Sequence, residues 1–173
     1  MKILITGPES SGKSTLCSEL DRHLNCILIP EYARTYLEEN GPKYSKKDLL
    51  EIAKYHYQVV KVLEKECNPN LFVLDTFLLN IKIWSEVKYG KCDPWLIEKL
   101  SEIKYDLIFL LKPNLPWVED PLRESKHIRD ELFEIYKKEL KSLNWKYHII
   151  DEVQELRTQQ ALDIIALYDE FPS

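Results

Sequence analysis

Glycine is scarce in this chain, 4 of 173 residues, and methionine occurs once. No run of 18 apolar residues is present, which excludes a membrane-spanning helix. The first apolar run, Ile3-Leu4-Ile5, is too short for a signal peptide, so the expectation is a cytoplasmic protein. Cys17, Cys26, Cys67 and Cys92 form no CxxC and have no neighbouring histidine pair, which excludes a cysteine-held zinc. They are expected to be reduced and mostly buried thiols. Gly/Ser linkers, low-complexity tracts and internal repeats are all missing, as expected of one domain over residues 1–173. An excess of positive charge is missing too: 24 Lys and Arg against 29 Asp and Glu leave −5. That argues against a general nucleic-acid binder while leaving room for a local basic site. Neither nucleic acid nor membrane is an expected partner, and a homo-oligomer is compatible with the sequence. What is present is ordinary for a globular chain, 45% hydrophobic and 31% charged residues.

Five short apolar runs, Lys2–Thr6, Cys26–Pro30, Leu71–Asp75, Asp106–Leu111 and Lys146–Asp151, read as strands. Several are continuously apolar, as in LFVLD and DLIFLL, the pattern of strands covered on both faces. Helical patterns alternate with them. Ser45-Lys46-Lys47-Asp48 resembles a capping box opening a helix towards Glu66. Leu78 to Tyr89 is helical and stops at Gly90, and Asp93-Pro94 opens the next helix. Apolar positions from Ile128 to Leu143 and from Leu156 to Tyr168 give two more. This βαβα alternation predicts an α/β fold with a parallel sheet, right-handed crossovers and helices on both faces. Ligands of such sheets collect at the carboxyl ends of the strands.

The segment after the first strand is Gly7-Pro8-Glu9-Ser10-Ser11-Gly12-Lys13-Ser14-Thr15, which matches GxxxxGK[ST] between a strand and a helix. Glycines let successive backbone N–H groups curl around an anion, and the helix N-terminus adds partial positive charge. Lys13 would reach the β- and γ-phosphates, and the Ser14 hydroxyl would ligate Mg²⁺. From the chain's own composition such a match arises by chance about once in a thousand, before the strand–helix context tightens it. Gly7, Glu9, Ser10, Ser11, Gly12, Lys13, Ser14 and Thr15 are therefore the expected contacts of a purine nucleoside triphosphate, ATP being the expected cofactor.

Two carboxylates follow strands. Asp75 ends the third and is the natural second metal partner, the alternative being a helix cap or a solvated turn. Glu31, in Glu31-Tyr32-Ala33-Arg34, would face the γ-phosphate where a hydroxyl acceptor is held. Its alternative is a first-turn acid complementing a helix dipole. Both strands are expected beside the P-loop strand, opening onto one cleft. Residues 112–129 carry three prolines, Trp117, Arg123 and Arg129, and read as a lid. There Arg123 and Arg129 would supply charge to a transferring phosphoryl group. The alternative is a solvated loop with ion pairs to Glu119 and Asp120. Trp84, Trp95 and Trp145 are expected in the core, with only Trp117 at the ligand end.

GPESSGKSTL, PEYAR, LDT at the third strand, KIWSEVKYGK and PWVEDPLRE with a downstream arginine resemble the ribosylnicotinamide kinase domain of NadR-type proteins. The resemblance runs from Met1 to about Leu167. It implies a kinase-type P-loop NTPase, a three-layer α/β/α fold with a five-stranded parallel sheet in the order 2-3-1-4-5. It also implies Mg²⁺- and ATP-dependent phosphorylation of the ribose 5′-hydroxyl of nicotinamide riboside. Glu31, Tyr32, Arg34 and Trp117 would then bind the acceptor, and Lys13, Glu31, Asp75, Arg123 and Arg129 would serve catalysis. Arg157 follows the fifth strand on the adenine side. The chain departs from the family pattern at Phe77, where relatives carry an acid, and at Asp151-Glu152, where they carry glycine. No HxGH occurs, so adenylyl transfer is not expected. A small nucleoside-like molecule is the expected partner. Another nucleoside or nucleotide kinase, or a nucleotide-binding regulatory module without acceptor phosphorylation, are the alternatives on the same fold.

Overall fold

The computed structural model describes residues 1–67 and 71–170. Five strands, β1 (Lys2–Thr6), β2 (Ile27–Ile29), β3 (Phe72–Asp75), β4 (Leu107–Leu111) and β5 (His148–Ile150), form one sheet. Its order is β2-β3-β1-β4-β5 and every pairing is parallel. Among the described residues seven helices accompany the strands: α1 (Lys13–Leu24), α2 (Tyr32–Asn40), α3 (Lys46–Cys67), α4 (Leu78–Tyr89), α5 (Pro94–Glu102), α6 (Arg129–Ser142) and, after β5, α7 (Gln154–Glu170).

Side-chain alternation divides the apolar residues between two layers. Leu4, Phe72, Leu74, Ile108 and Leu110 point to one face, where they pack with residues of α2 to α6. Ile3, Ile5, Val73, Leu107, Phe109 and Leu111 point to the other, against Leu16, Cys17 and Leu20 of α1 and Ala161 and Ile165 of α7. Both faces of the central strands are thus covered, as their unbroken apolar runs require.

Local signals act where the sequence carries them. The Ser45 N–H donates to Asp48 Oδ2 at 2.6 Å, and Asp48 N–H returns to Ser45 Oγ at 3.4 Å, closing a capping box on α3. Asp93 Oδ1 accepts from the Trp95 N–H at 3.0 Å at the start of α5. Gly90 ends α4 in the left-handed region at φ 73°. Two expectations need correction. Cys17 and Cys92 are buried, but Cys26 is half-buried and Cys67 is exposed at the end of α3. β2 also does not lie beside β1: β3 separates them. Among the described residues no helix is long and apolar enough to cross a membrane.

Candidate active site

β1 pairs with β3 so that Ile5 stands level with Asp75, and with β4 so that Thr6 stands level with Leu110. The chain leaving β1 must therefore pass over the ends of both neighbours. A Cβ on Gly7, at φ 137°, would lie 2.8 Å from the Leu111 carbonyl oxygen. One on Gly12, at φ 83°, would lie 2.8 Å from Leu115 Cδ1 and 2.9 Å from an Arg157 guanidinium nitrogen. Close approach and positive φ together require glycine at both ends of the loop. Ser10 also adopts positive φ, 54°, within it. Gly12 caps α1 without any side-chain hydrogen bond, leaving that helix end open towards the cleft. Gly12→Ala is expected to cost about 1–2 kcal/mol of stability through its left-handed conformation. A lower melting temperature together with weakened nucleotide binding would confirm it.

The loop faces a cavity of about 200 Å³. Residues 7–15 form its floor; Glu31, Arg34, Asn80, Trp84, Arg123 and Tyr136 stand on its walls. Lys13 Nζ donates to the Pro8 carbonyl at 2.8 Å, inside its own loop.

Glu31 precedes α2 and accepts no capping hydrogen bond, so its carboxylate is not engaged with the helix end. Burial pushes its pKa up, Lys13 and Arg34 oppose that, and Asp75 and Glu9 add to it. Although β2 is one strand removed from β1, the longer glutamate side chain brings its charge among the P-loop residues. Asp75 is 4% exposed, and Phe77, not Asp75, occupies the cap position of α4. Burial raises its pKa as well, with the Ser14 hydroxyl and the Lys13 ammonium pulling it down. Its Oδ1 is buried without a hydrogen-bond partner among the described residues. An orphaned carboxylate oxygen beside the P-loop serine fits a hydrated Mg²⁺, which prefers few protein oxygens and several waters.

Residues 112–128 carry no helix or strand and lie against the P-loop. Ser10 Oγ accepts from the Val118 N–H at 3.0 Å. Glu9 Oε2 accepts from the N–H groups of Ser125 at 2.8 Å and Glu124 at 3.1 Å. Asp120 joins two arginines of the cleft, Arg34 at 2.7 Å and Arg123 at 3.9 Å. Lys126 pairs with Glu119. The segment thus carries both the cleft-facing arginine and the ion pairs of a solvated loop.

Five of the residues singled out from the sequence stand outside the cavity lining: Asp75, buried beside Ser14, and four more. Arg129, the first residue of α6, donates to the Ser10 and Leu115 carbonyls at 3.2 and 3.0 Å. Trp117 lies against its guanidinium, 5.7 Å from ring centroid to carbon, rather than on the acceptor wall. Tyr32 stacks on Tyr55 with centroids 4.1 Å apart. Arg157 is 4% exposed and donates to the carbonyls of Ser11 and Glu152 and to Asn114 Oδ1. Its donors brace the loop from beneath. Conversely, Trp84 is on the wall, its Nε1 donating to Tyr44 Oη at 2.6 Å. Asn80 and Tyr136 also line the cavity and carried no motif. Helical phase was the available signal: Asn80, Ile83, Trp84 and Val87 lie on one stripe of α4.

A family profile described as AAA domain matches residues 2–156. The chain belongs to that family. Within it, the chain resembles the ribosylnicotinamide kinase domain of NadR-type proteins. It is 34% identical over 127 residues to the trifunctional NAD biosynthesis/regulator protein NadR of Salmonella typhimurium and of Escherichia coli. These matches cover 70% of the chain and 30% of each relative, so the chain spans under a third of their length. In fold this AAA domain is similar to NadR protein crystallised in complex with NR, with TM-score 0.77 and 21% identity. That match covers 96% of the chain and 50% of the other. Deoxyadenosine kinase from M. mycoides superimposes with TM-score 0.68 and 18% identity over 96% of the chain and 100% of its own. The fold is that of kinase-like P-loop proteins.

Proposed function

We propose that this domain transfers the γ-phosphoryl group of ATP, with Mg²⁺, to the ribose 5′-hydroxyl of nicotinamide riboside, giving nicotinamide mononucleotide. The observation that carries the reading is the continuity of the cavity. One end is the phosphate loop with Lys13, and the other is a wall of Leu37, Ile83, Trp84 and Val87 that suits a flat base. Glu31 shares the same lining, within reach of the Lys13 charge. The kinship with NadR and its structure with nicotinamide riboside support this choice of acceptor.

In this mechanism the backbone N–H groups of residues 9–13 and the Lys13 ammonium hold the β- and γ-phosphates of ATP. Ser14 and Asp75 would hold Mg²⁺, which when bound neutralises phosphate charge. Glu31 orients the acceptor hydroxyl in line with the γ-phosphorus and takes its proton as the new P–O bond forms and the bond to the leaving ADP oxygen breaks. The transition state is loose, so orientation outweighs early deprotonation. Arg123, and Arg34 opposite it, face the charge that develops on the phosphoryl oxygens. Both are now shared with Asp120 and would exchange it for phosphate as residues 112–129 close as a lid. Arg129 serves more remotely, holding the Ser10 and Leu115 carbonyls together.

Arg123→Ala is expected to lower turnover on the order of 10³-fold while changing ATP affinity little, because its charge is needed most as the phosphoryl group detaches. An intact maximal rate with weakened ATP binding would make it a binding residue instead. The acceptor is tested by ADP release across a panel of nucleosides. Stimulation by nicotinamide riboside alone supports the proposal; stimulation by deoxynucleosides favours another nucleoside kinase. Tight nucleotide binding with no stimulation favours a regulatory module.

A further inference from the structure

The α6 face of the cavity carries a polar chain that the reaction described above does not use. Thr6, the last residue of β1, is fully buried, and its hydroxyl donates to Asn80 Oδ1 at 2.7 Å. Asn80 Nδ2 in turn donates to Tyr136 Oη at 2.9 Å. The direction of the chain follows from its buried end. Among the described residues Asn80 Oδ1 is the hydrogen-bond acceptor of the Thr6 proton, so a reversed Asn80 amide would strand that proton inside the protein. With Asn80 fixed, Tyr136 Oη receives a hydrogen bond and keeps its own proton. No hydrogen bond among the described residues uses that proton.

Tyr136 lines the cavity while the residue as a whole is 5% exposed and packed in the core, so the hydroxyl has little freedom to turn elsewhere. Its surroundings locate it along the cavity. The Glu31 and Glu9 carboxylates are near enough to raise its pKa beyond what burial alone does, which keeps it a neutral donor. No hydrogen bond joins it to either of them. Through Asn80 it is tied to Thr6, which leads into Gly7 of the phosphate loop, so it lies at the reacting end, whereas Val87 of the base wall is seven residues beyond Asn80 on α4.

We infer that Tyr136 is a specificity-determining residue whose hydroxyl, aimed by Asn80 and Thr6, donates a hydrogen bond to a secondary hydroxyl of the acceptor's sugar. This deepens the proposed reading and rests on it: Glu31 takes the reacting hydroxyl, and Tyr136 recognises a neighbouring one. A site built around a directed donor discriminates strongly, because an acceptor lacking its partner leaves the buried donor unpaired.

The test compares wild type, Tyr136→Phe and Thr6→Val on the nucleoside that wild type phosphorylates and on its 2′-deoxy and 3′-deoxy analogues. Tyr136→Phe keeps the ring and removes only the donor. It should raise the acceptor KM about fivefold to tenfold and the ATP KM by far less. Thr6→Val lies outside the cavity and should act in the same direction, more weakly, by releasing Asn80; it also answers the question should Tyr136→Phe not fold. With one of the two deoxy analogues the Tyr136→Phe effect should vanish, since the contact is already missing. Equal losses on all three acceptors, no loss on any, or matching losses in ATP KM would overturn the inference. If wild type accepts some nucleoside other than nicotinamide riboside, the proposed acceptor fails while the role of Tyr136 is decided on that nucleoside. If wild type neither binds nor phosphorylates any nucleoside, both fall.

Discussion

Lys13→Ala is expected to remain folded and to lose phosphoryl transfer by about 10²–10³-fold, the loss typical of deleting one preorganised charge-stabilising group. The geometry says why the fold should tolerate it. Lys13 opens α1 within the cavity, and among the described residues its ammonium donates only to the Pro8 carbonyl of its own loop. Among the described residues it forms no ion pair that braces another element. Its charge does reach Glu31 and Asp75, whose pKa values it pulls down. Removing it should therefore also leave those two carboxylates more easily protonated. Circular dichroism alongside steady-state turnover checks the prediction. A folded variant with near-normal turnover would take Lys13 out of the phosphate site.

Glu31 and Asp75 should separate cleanly by substitution. Glu31→Gln is expected to spare ATP binding and acceptor-free hydrolysis while reducing acceptor phosphorylation by about 10²–10⁴-fold, the range for a positioned general base. Asp75→Asn should instead raise the Mg²⁺ concentration needed for half-maximal rate by about tenfold or more and slow background hydrolysis too. The pH dependence follows in sign. Burial raises the Glu31 pKa above its ordinary 4.5, and the base must be ionised, so activity should fall on acidification at a pH above that value. In Glu31→Gln the residual activity should lack that acidic limb. Should Glu31→Gln shift the Mg²⁺ requirement while Asp75→Asn leaves it alone, the two roles are exchanged.

How much of this was legible in the sequence depends on how local each determinant is. The P-loop, the capping box at Ser45–Asp48, Gly90 and Asp93-Pro94 act through neighbours a few residues away, and each forms where its spacing says. The five strands announce themselves because both of their faces are apolar. The carboxylates Glu31 and Asp75 were singled out by one further step, the tendency of ligands to gather at strand ends. The distribution of arginines was not readable. Arg123 and Arg34 face the cavity, whereas Arg129 and Arg157 turn under the loop to hold its Ser10 and Ser11 carbonyls. A basic residue in a loop carries no sign of whether its donors meet protein or ligand. Trp84, Asn80 and Tyr136 were missed for a related reason. They lie on α4 and α6, and only the crossover packing of those helices decides that one stripe faces the cavity instead of the core. Trp117, chosen because its loop lies at the ligand end, meets Arg129 instead.

The measurement that bears most directly on the central claim is product identification. The chain would be incubated with ATP, Mg²⁺ and nicotinamide riboside, and both products resolved by chromatography and mass. The account predicts ADP and nicotinamide mononucleotide in equal amounts, with neither accumulating in the Lys13→Ala variant. ADP formed without a phosphorylated nucleoside, or nicotinamide riboside recovered unchanged while another nucleoside is converted, would contradict it.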